Sequence, residues 1–299
     1  MTVATRGLAT LCLWMAGLGV CGTRAFAEDP APEVEIDSQA RLVSRANLNG
    51  NGAAVSQASI AIDASLPVAG SHQWGLGVDL IEERRRFLFD HFEQFIPCAT
   101  PLKIANDLSV QPTLAVMPDE RWTWLLQGNF EYAGAVGAKF SDAVLTSYSI
   151  AAIYKNTDSC RLGFGFQLRQ RFPAHRYLMP FPLIDWHFGH WALTSLDGET
   201  GRLAYSIGRW TDIYAQIEFR SYDVRMAPDS PLAAGVLHYD AFPAVLGVRI
   251  KVNKHFILSV SSGLALAQQL RFEDQHGRFL QESNRPSPYC GGMEADWTF

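Results

Sequence analysis

Apolar and polar residues alternate along most of this chain, and no helical period is sustained between the alternating runs. The clearest run is Leu162-Gly163-Phe164-Gly165-Phe166-Gln167-Leu168-Arg169, where Leu and Phe alternate with Gly, Gln and Arg. Two others are nearly as regular. Ile213, Ala215, Ile217 and Phe219 alternate with Asp212, Tyr214, Gln216, Glu218 and Arg220, and Leu246, Val248, Ile250 and Val252 alternate with Gly247, Arg249 and Lys251. An extended strand sends successive side chains to opposite faces, so each run has one apolar and one polar face. Read this way, the sequence predicts strands near 40–48, 54–66, 72–82, 105–117, 121–134, 143–156, 160–171, 180–187, 190–196, 201–207, 211–224, 243–253, 255–268 and 290–299. That makes fourteen. Twelve is the runner-up, because the first strand and the 180–196 hairpin are the weakest members.

The connections alternate too. Every second one is tight: Asn253-Lys254, Arg209-Trp210, Phe188-Gly189, Asn156-Thr157-Asp158-Ser159 and Pro118-Asp119-Glu120. Those between are often long: Glu83 to Lys103, Arg225 to Ala241 and Arg271 to Tyr289. Short turns at one end and long loops at the other are the signature of a transmembrane barrel, with the short turns periplasmic. A soluble sandwich has no reason to sort its loops so regularly. Both termini then share the periplasmic end, which requires an even number of strands.

The final residues, Gly291-Gly292-Met293-Glu294-Ala295-Asp296-Trp297-Thr298-Phe299, carry the same alternation to the last aromatic. Here the chain resembles the outer-membrane β-barrel proteins of Gram-negative bacteria, whose last strand typically ends in Phe with apolar residues at alternate positions before it. The resemblance implies an all-β fold, a closed antiparallel meander. It also implies that the barrel-assembly machinery reads Met293, Ala295, Trp297 and Phe299. Within the barrels, the chain is similar to an uncharacterised bacterial outer-membrane family. That likeness lies in Pro182-Leu183-Ile184-Asp185-Trp186 and in the stretch from Tyr205 to Tyr222-Asp223-Val224-Arg225, and it implies no assigned activity.

Composition fits that setting. Residues 1–27 read as a cleaved secretory signal, with Arg6 at the front, an apolar core from Leu8 to Val20, and Ala25-Phe26-Ala27 before the cleavage point. The apolar core is shorter than the ~20 residues of a spanning helix. A lipoprotein reading at Cys21 is weaker, because Val20 stands where a small residue is expected. Losing Arg6 and Arg24, and no acid, takes the formal charge from −5 to −7. That argues against a nucleic-acid partner. Residues 28–39 are then a short periplasmic lead-in, and 40–299 a single barrel in the outer membrane, with its lipid as surroundings.

The polar faces carry both signs. Arg161, Arg169, Arg171, Arg220, Arg249 and Lys251 stand against Glu131, Asp212, Glu218, Glu294 and Asp296. Near the midplane of a bilayer a charged side chain facing lipid costs about 2–4 kcal/mol, so these residues should face the lumen. Trp122, Tyr154, Trp186, Trp191, Trp210, Phe256, Trp297 and Phe299 fall near the periplasmic strand ends, where aromatic girdles form. A wide barrel lined in this way would pass small hydrophilic solutes, as porins do. A narrower one would bridge its charges and serve as a structural or adhesive barrel. A soluble periplasmic β-protein is the alternative outside the membrane class.

Little else points to chemistry. Asp185, His187 and His190 have metal-ligand types but no fourth partner at diagnostic spacing, and polar residues at a hairpin explain them. Ser259 and Ser261 lie on the polar face of a strand that starts at His255, and no Gly-x-Ser-x-Gly elbow is present, so an enzyme is not expected. No cofactor is expected either. Arg84-Arg85-Arg86, at the root of a long outer loop, could pair with lipopolysaccharide phosphates, although a solvated charge run, or gatekeeping of the strand before it, is the better account. Of the mature cysteines, Cys98 and Cys290 fall at the outer end and Cys160 after a periplasmic turn, which predicts a Cys98–Cys290 disulfide and a free Cys160.

Overall fold

The computed structural model describes residues 34–48, 52–172, 175–195, 198–284 and 289–299. The signal at 1–27 and the first part of the lead-in lie outside the described residues.

Alternation becomes a continuous antiparallel ladder. The first eight strands are β1 (Glu35–Asn47), β2 (Ala54–Ser71), β3 (Trp74–Asp90), β4 (Ile104–Val116), β5 (Trp122–Ala135), β6 (Val144–Thr157), β7 (Cys160–Arg171) and β8 (His175–Phe188). A short hairpin follows, β9 (Trp191–Ser195) and β10 (Thr200–Ile207). The remainder are β11 (Thr211–Glu218), β12 (Arg220–Arg225), β13 (Val236–Lys251), β14 (Phe256–Glu273), β15 (Phe279–Asn284) and β16 (Cys290–Thr298). Each consecutive pair from β1 to β11 is hydrogen-bonded, β13 pairs with β14, and β14 pairs with β16. β16 returns to β1 in the register Ile36↔Trp297, Ser38↔Ala295 and Ala40↔Met293. The ring is therefore closed.

Two of these elements are not separate staves. β11 and β12 both pair with β13, on either side of a break at Phe219, so they form one bent strand. β15 pairs only with the distal part of β14, as a hairpin standing beyond the wall. Among the described residues the barrel thus has fourteen staves. The tight turns of the sequence all lie at the end that carries both termini.

Four expected boundaries move, for one reason: the backbone ladders continue beyond the apolar band. β1 begins at Glu35 and pairs with Thr298, so most of the described part of the 28–39 lead-in is barrel wall. β3 continues to Asp90, which leaves only 91–103 of the Glu83–Lys103 loop as a connection. Likewise β12 and β13 absorb the ends of the Arg225–Ala241 loop, and β14 and β15 much of Arg271–Tyr289.

The outward face is apolar. Leu246 is 71% exposed, and Phe130, Phe164, Ile150, Val260 and Leu264 are also open on the same side of the wall. Contiguous apolar area on this scale does not stay in water. At the termini end it is bordered by rings in contact: Trp122 with Tyr154 at 5.0 Å, Phe256 with Trp297 at 4.7 Å, and Trp191 with Tyr205 at 4.8 Å.

The apolar core sits at the far end instead. There the 91–103 segment folds back, with a 3₁₀ turn at Phe92–Gln94, and buries Phe92 and Phe95 beside Phe87 and Phe272. The Phe92 and Phe272 rings meet edge to face at 5.4 Å. β12 leans across the opening until Arg225 pairs with Gly134 of β5 in a parallel bridge. Val224, Met226, Leu237 and Leu270 join the same cluster. A second, smaller apolar patch lines the lumen on β6 to β8, where Gly165 leaves room for the Phe181 ring.

The expected Cys98–Cys290 bond is not formed, and Cys98, Cys160 and Cys290 are all free thiols. Cys98 packs against the far-end apolar cluster, whereas Cys290 is held in the ladder opposite Val43 and Gly263.

Two outcomes follow. Because the closed ring satisfies its backbone internally, unboiled protein in SDS should migrate at a different apparent size from boiled protein; identical migration would contradict closure. Alkylation in denaturant without reductant should label all three of these cysteines, and in native protein Cys98 should react slowly, because burial pushes its thiol pKa up. Mass spectrometry that finds any pair bonded would contradict this.

Candidate functional site

Charged residues on the inward face of the strands pair both along the wall and across the lumen. The expected lumenal residues all have a place here. Arg41 of β1 bonds Glu218 of β11 at 3.1 Å, and Glu218 also accepts from Arg220 at 2.8 Å. Arg202 of β10 reaches Glu294 of β16 at 3.4 Å, and Arg249 bonds Asp296 at 3.0 Å. Asp212 is held by Lys251 at 2.8 Å and by the Ser206 hydroxyl at 2.7 Å. Arg169 donates to the Ser221 carbonyl at 2.6 Å and contacts Glu199 at 3.5 Å. Glu131 is buried beside Asn129, which donates to it at 3.5 Å, while Arg161 sits half-buried at the start of β7.

Sequence reading missed the other half of this belt. The run Arg84-Arg85-Arg86 lies within β3, and alternation splits it. Arg84 and Arg86 turn outward and are exposed, whereas Arg85 points in and is buried. Arg85 bonds Glu83 and Asp107, the latter at 3.1 Å, and its guanidinium lies 3.9 Å from the centre of the Tyr222 ring. The Tyr222 hydroxyl then donates to Gln57 of β2 at 2.8 Å. β12 is thereby tied to β2 and β3 across the barrel. The signal was available, since Glu83, Arg85, Phe87 and Phe89 alternate with Glu82, Arg84, Arg86 and Leu88. A charge run that looks like a loop obscured it.

Nearer the far end lies a buried network. Asp223 accepts from Arg171 at 2.7 Å, from His238 Nδ1 at 2.7 Å and from the backbone N–H of Phe172 at 2.9 Å. Arg171 also bonds Asp240 at 3.1 Å, and the other His238 nitrogen lies 3.3 Å from Glu273. These bonds clamp the leaning β12–β13 sheet to β7 just beneath the apolar cap.

The remaining candidates separate. His187 bonds Asp185 at 2.9 Å on the exposed rim, and His190 lies in the turn against Tyr205, so the three do not converge on a metal position. Ser259 is buried with no partner for its hydroxyl and has no imidazole in contact among the described residues. Small cavities open on the lumen among the described residues. One, of about 50 Å³, has Arg41, Glu218, Arg220 and Glu294 in its lining, and another, of about 140 Å³, has Asp37, Asp63 and Glu83.

No protein-family description matches the sequence, and no curated protein matches it. Solved structures do. A COG4313 outer membrane channel from Pseudomonas putida F1 superposes with a TM-score of 0.50 at 8% identity, over 94% of this chain and 100% of that one. The fold is that of an outer-membrane β-barrel. The NanC porin matches at a TM-score of 0.38 and 8% identity, over 88% of this chain and 100% of its own, and the toluene transporter TodX of P. putida at 0.38 and 10%, over 91% of each.

Replacing Asp223 by Ala removes the common acceptor of Arg171, His238 and the Phe172 amide. Asp223 is 2% exposed, so the loss should destabilise the barrel by about 3–5 kcal/mol, the range for breaking a buried ion pair. Denaturant unfolding of Asp223→Ala that superimposes on the parent would contradict this role.

Proposed function

We propose that this barrel spans the outer membrane, with its termini in the periplasm, and passes small hydrophilic solutes through a narrow lumen that the 91–103 segment occludes from outside. The observation that carries the reading is the pairing of opposite charges across the lumen, Arg41 to Glu218 and Arg202 to Glu294, inside an apolar exterior. Both signs at hydrogen-bond reach suit polar solutes that exchange one ion-pair partner for another. The arrangement is the inverse of a soluble β-protein, whose charges face out. Fourteen staves enclose more space than side chains alone fill, since eight already give a filled barrel. The cap at the far end supplies the closure. The outward pair Arg84 and Arg86 would sit at the outer headgroup level, where guanidinium pairs with phosphate.

The intact protein in planar bilayers should give small, steady conductance, and replacing 91–103 by a short flexible linker should raise it several-fold. No conductance in either form would favour the second reading, a non-conducting structural or adhesive barrel. The aromatic cap, with Phe92 and Phe95 buried, is what supports that alternative.

Assembly should depend on the last residue. Phe299 exchanges two backbone hydrogen bonds with Val34, at 2.9 and 3.2 Å, and its ring stands exposed on the outside. Recognition of this strand by the barrel-assembly machinery accounts for such a placement. Deleting Phe299 should lower the amount of barrel assembled in the membrane fraction, and Phe299→Ala should do so more mildly; unchanged levels after deletion would refute the proposal.

A further inference from the structure

The termini end of the lumen holds a charge imbalance that the ion-pair belt does not resolve. Asp37 on β1 stands directly opposite Asp296 on β16 and opposite Asp63 on β2, so three carboxylates lie in one row across three adjacent strands. Glu294 is two residues further along β16, on the same face. Like charges placed directly across a ladder repel. Arg249 and Arg202 answer Asp296 and Glu294. No ion pair to Asp37 or Asp63 is found among the described residues.

Asp37 is only 5% exposed. Its Oδ2 accepts from Gln39 Nε2 at 3.2 Å, but its Oδ1 is sealed from solvent and has no partner. One oxygen each of Asp63 and Asp296 is in the same condition. A buried carboxylate oxygen without a donor is costly, and several together in a folded wall call for a positive charge or a shared proton among them.

We propose that Asp37, Glu294 and Asp296 bind a calcium-sized divalent cation. One ligand oxygen from each lies within 4.8 Å of the other two. Oxygens this close can share one cation, and three carboxylates on two strands of a wall supply no preformed octahedron of the kind magnesium demands. Calcium accepts six to eight ligands in irregular geometry. The adjoining cavity, about 140 Å³, has Asp37, Gln39, Asp63 and Glu83 in its lining together with Arg41, which is engaged by Glu218, and it has room for the waters that complete the shell. The ion would join β1 to β16 across the closing seam. It would also neutralise the negative end of the lumen, where it is independent of whether the barrel conducts.

The test is calorimetric titration of calcium chloride into chelator-treated, detergent-solubilised barrel, alongside the thermal unfolding midpoint with and without calcium. The expected result is one site per chain, calcium binding at least tenfold tighter than magnesium, and a higher midpoint with the ion. The double variant Asp37→Asn with Asp296→Asn removes repulsion as well as ligands. It should therefore fold without calcium, lose binding by tenfold or more, and show no calcium-dependent shift. Lipopolysaccharide carried through purification would bind calcium equally in parent and variant, and equal binding overturns the proposal. So does the absence of any calcium effect on the parent, the outcome expected if the carboxylates share protons instead of a cation.

Discussion

In lipid an unpaired backbone N–H or C=O has no water to turn to, so a sheet that crosses a membrane must close on itself. Here the closing seam is the antiparallel pair of β1 with β16, nine residues in continuous register from Glu35↔Thr298 to Val43↔Cys290. The rest follows from it. Closure sets which face of every strand is inside. A slip of one residue would exchange faces along the whole of a strand, sending Asp37 of β1, or Glu294 and Asp296 of β16, into lipid. Register is accordingly over-determined, by the apolar row Ile36, Trp297 and Phe256 on one side and the carboxylate row on the other.

Closure also creates an interior that must be filled or hydrated. The chain lines it at three levels with different chemistry. Carboxylates dominate at the termini end, paired opposite charges cross the middle, and rings close the far end. The middle level is possible because β11–β12 bends at Phe219 and carries Arg220, Tyr222 and Asp223 across towards β2, β3 and β7. Each buried guanidinium there has a carboxylate or carbonyl in reach, as desolvated charge requires.

The fold was legible in the sequence because alternation is local. All fourteen staves were readable from Leu162–Arg169 and its counterparts, and the short turns gave their polarity. What was not legible depends on partners distant in sequence. Phe92 and Phe95 could be expected to bury themselves, but only the approach of Phe272 and Leu237 shows where. Arg85 looked like one third of a basic run until Glu83, Asp107 and Tyr222 were seen around it. Asp37 lay in a stretch that reads as an acidic lead-in, and its significance appears only when Asp296, at the other end of the chain, is placed beside it. The cysteine pairing failed for the same reason. Both residues do lie towards the far end, but one belongs to a folded-back segment and the other to the wall.

The seam itself is the most direct thing to measure. Ser38 and Ala295 face each other across it on one side of the wall, while Asp296 faces the opposite side. In a background with Cys98, Cys160 and Cys290 replaced by Ser, the double variant Ser38→Cys with Ala295→Cys should oxidise to an intramolecular disulfide in the membrane, because directly opposed residues place their Cα atoms about 4.5–5.5 Å apart. Ser38→Cys with Asp296→Cys should not. Failure of the first pair to cross-link, or equal cross-linking of both, would mean that β1 and β16 are not joined in this register, and the closed barrel would fall with it.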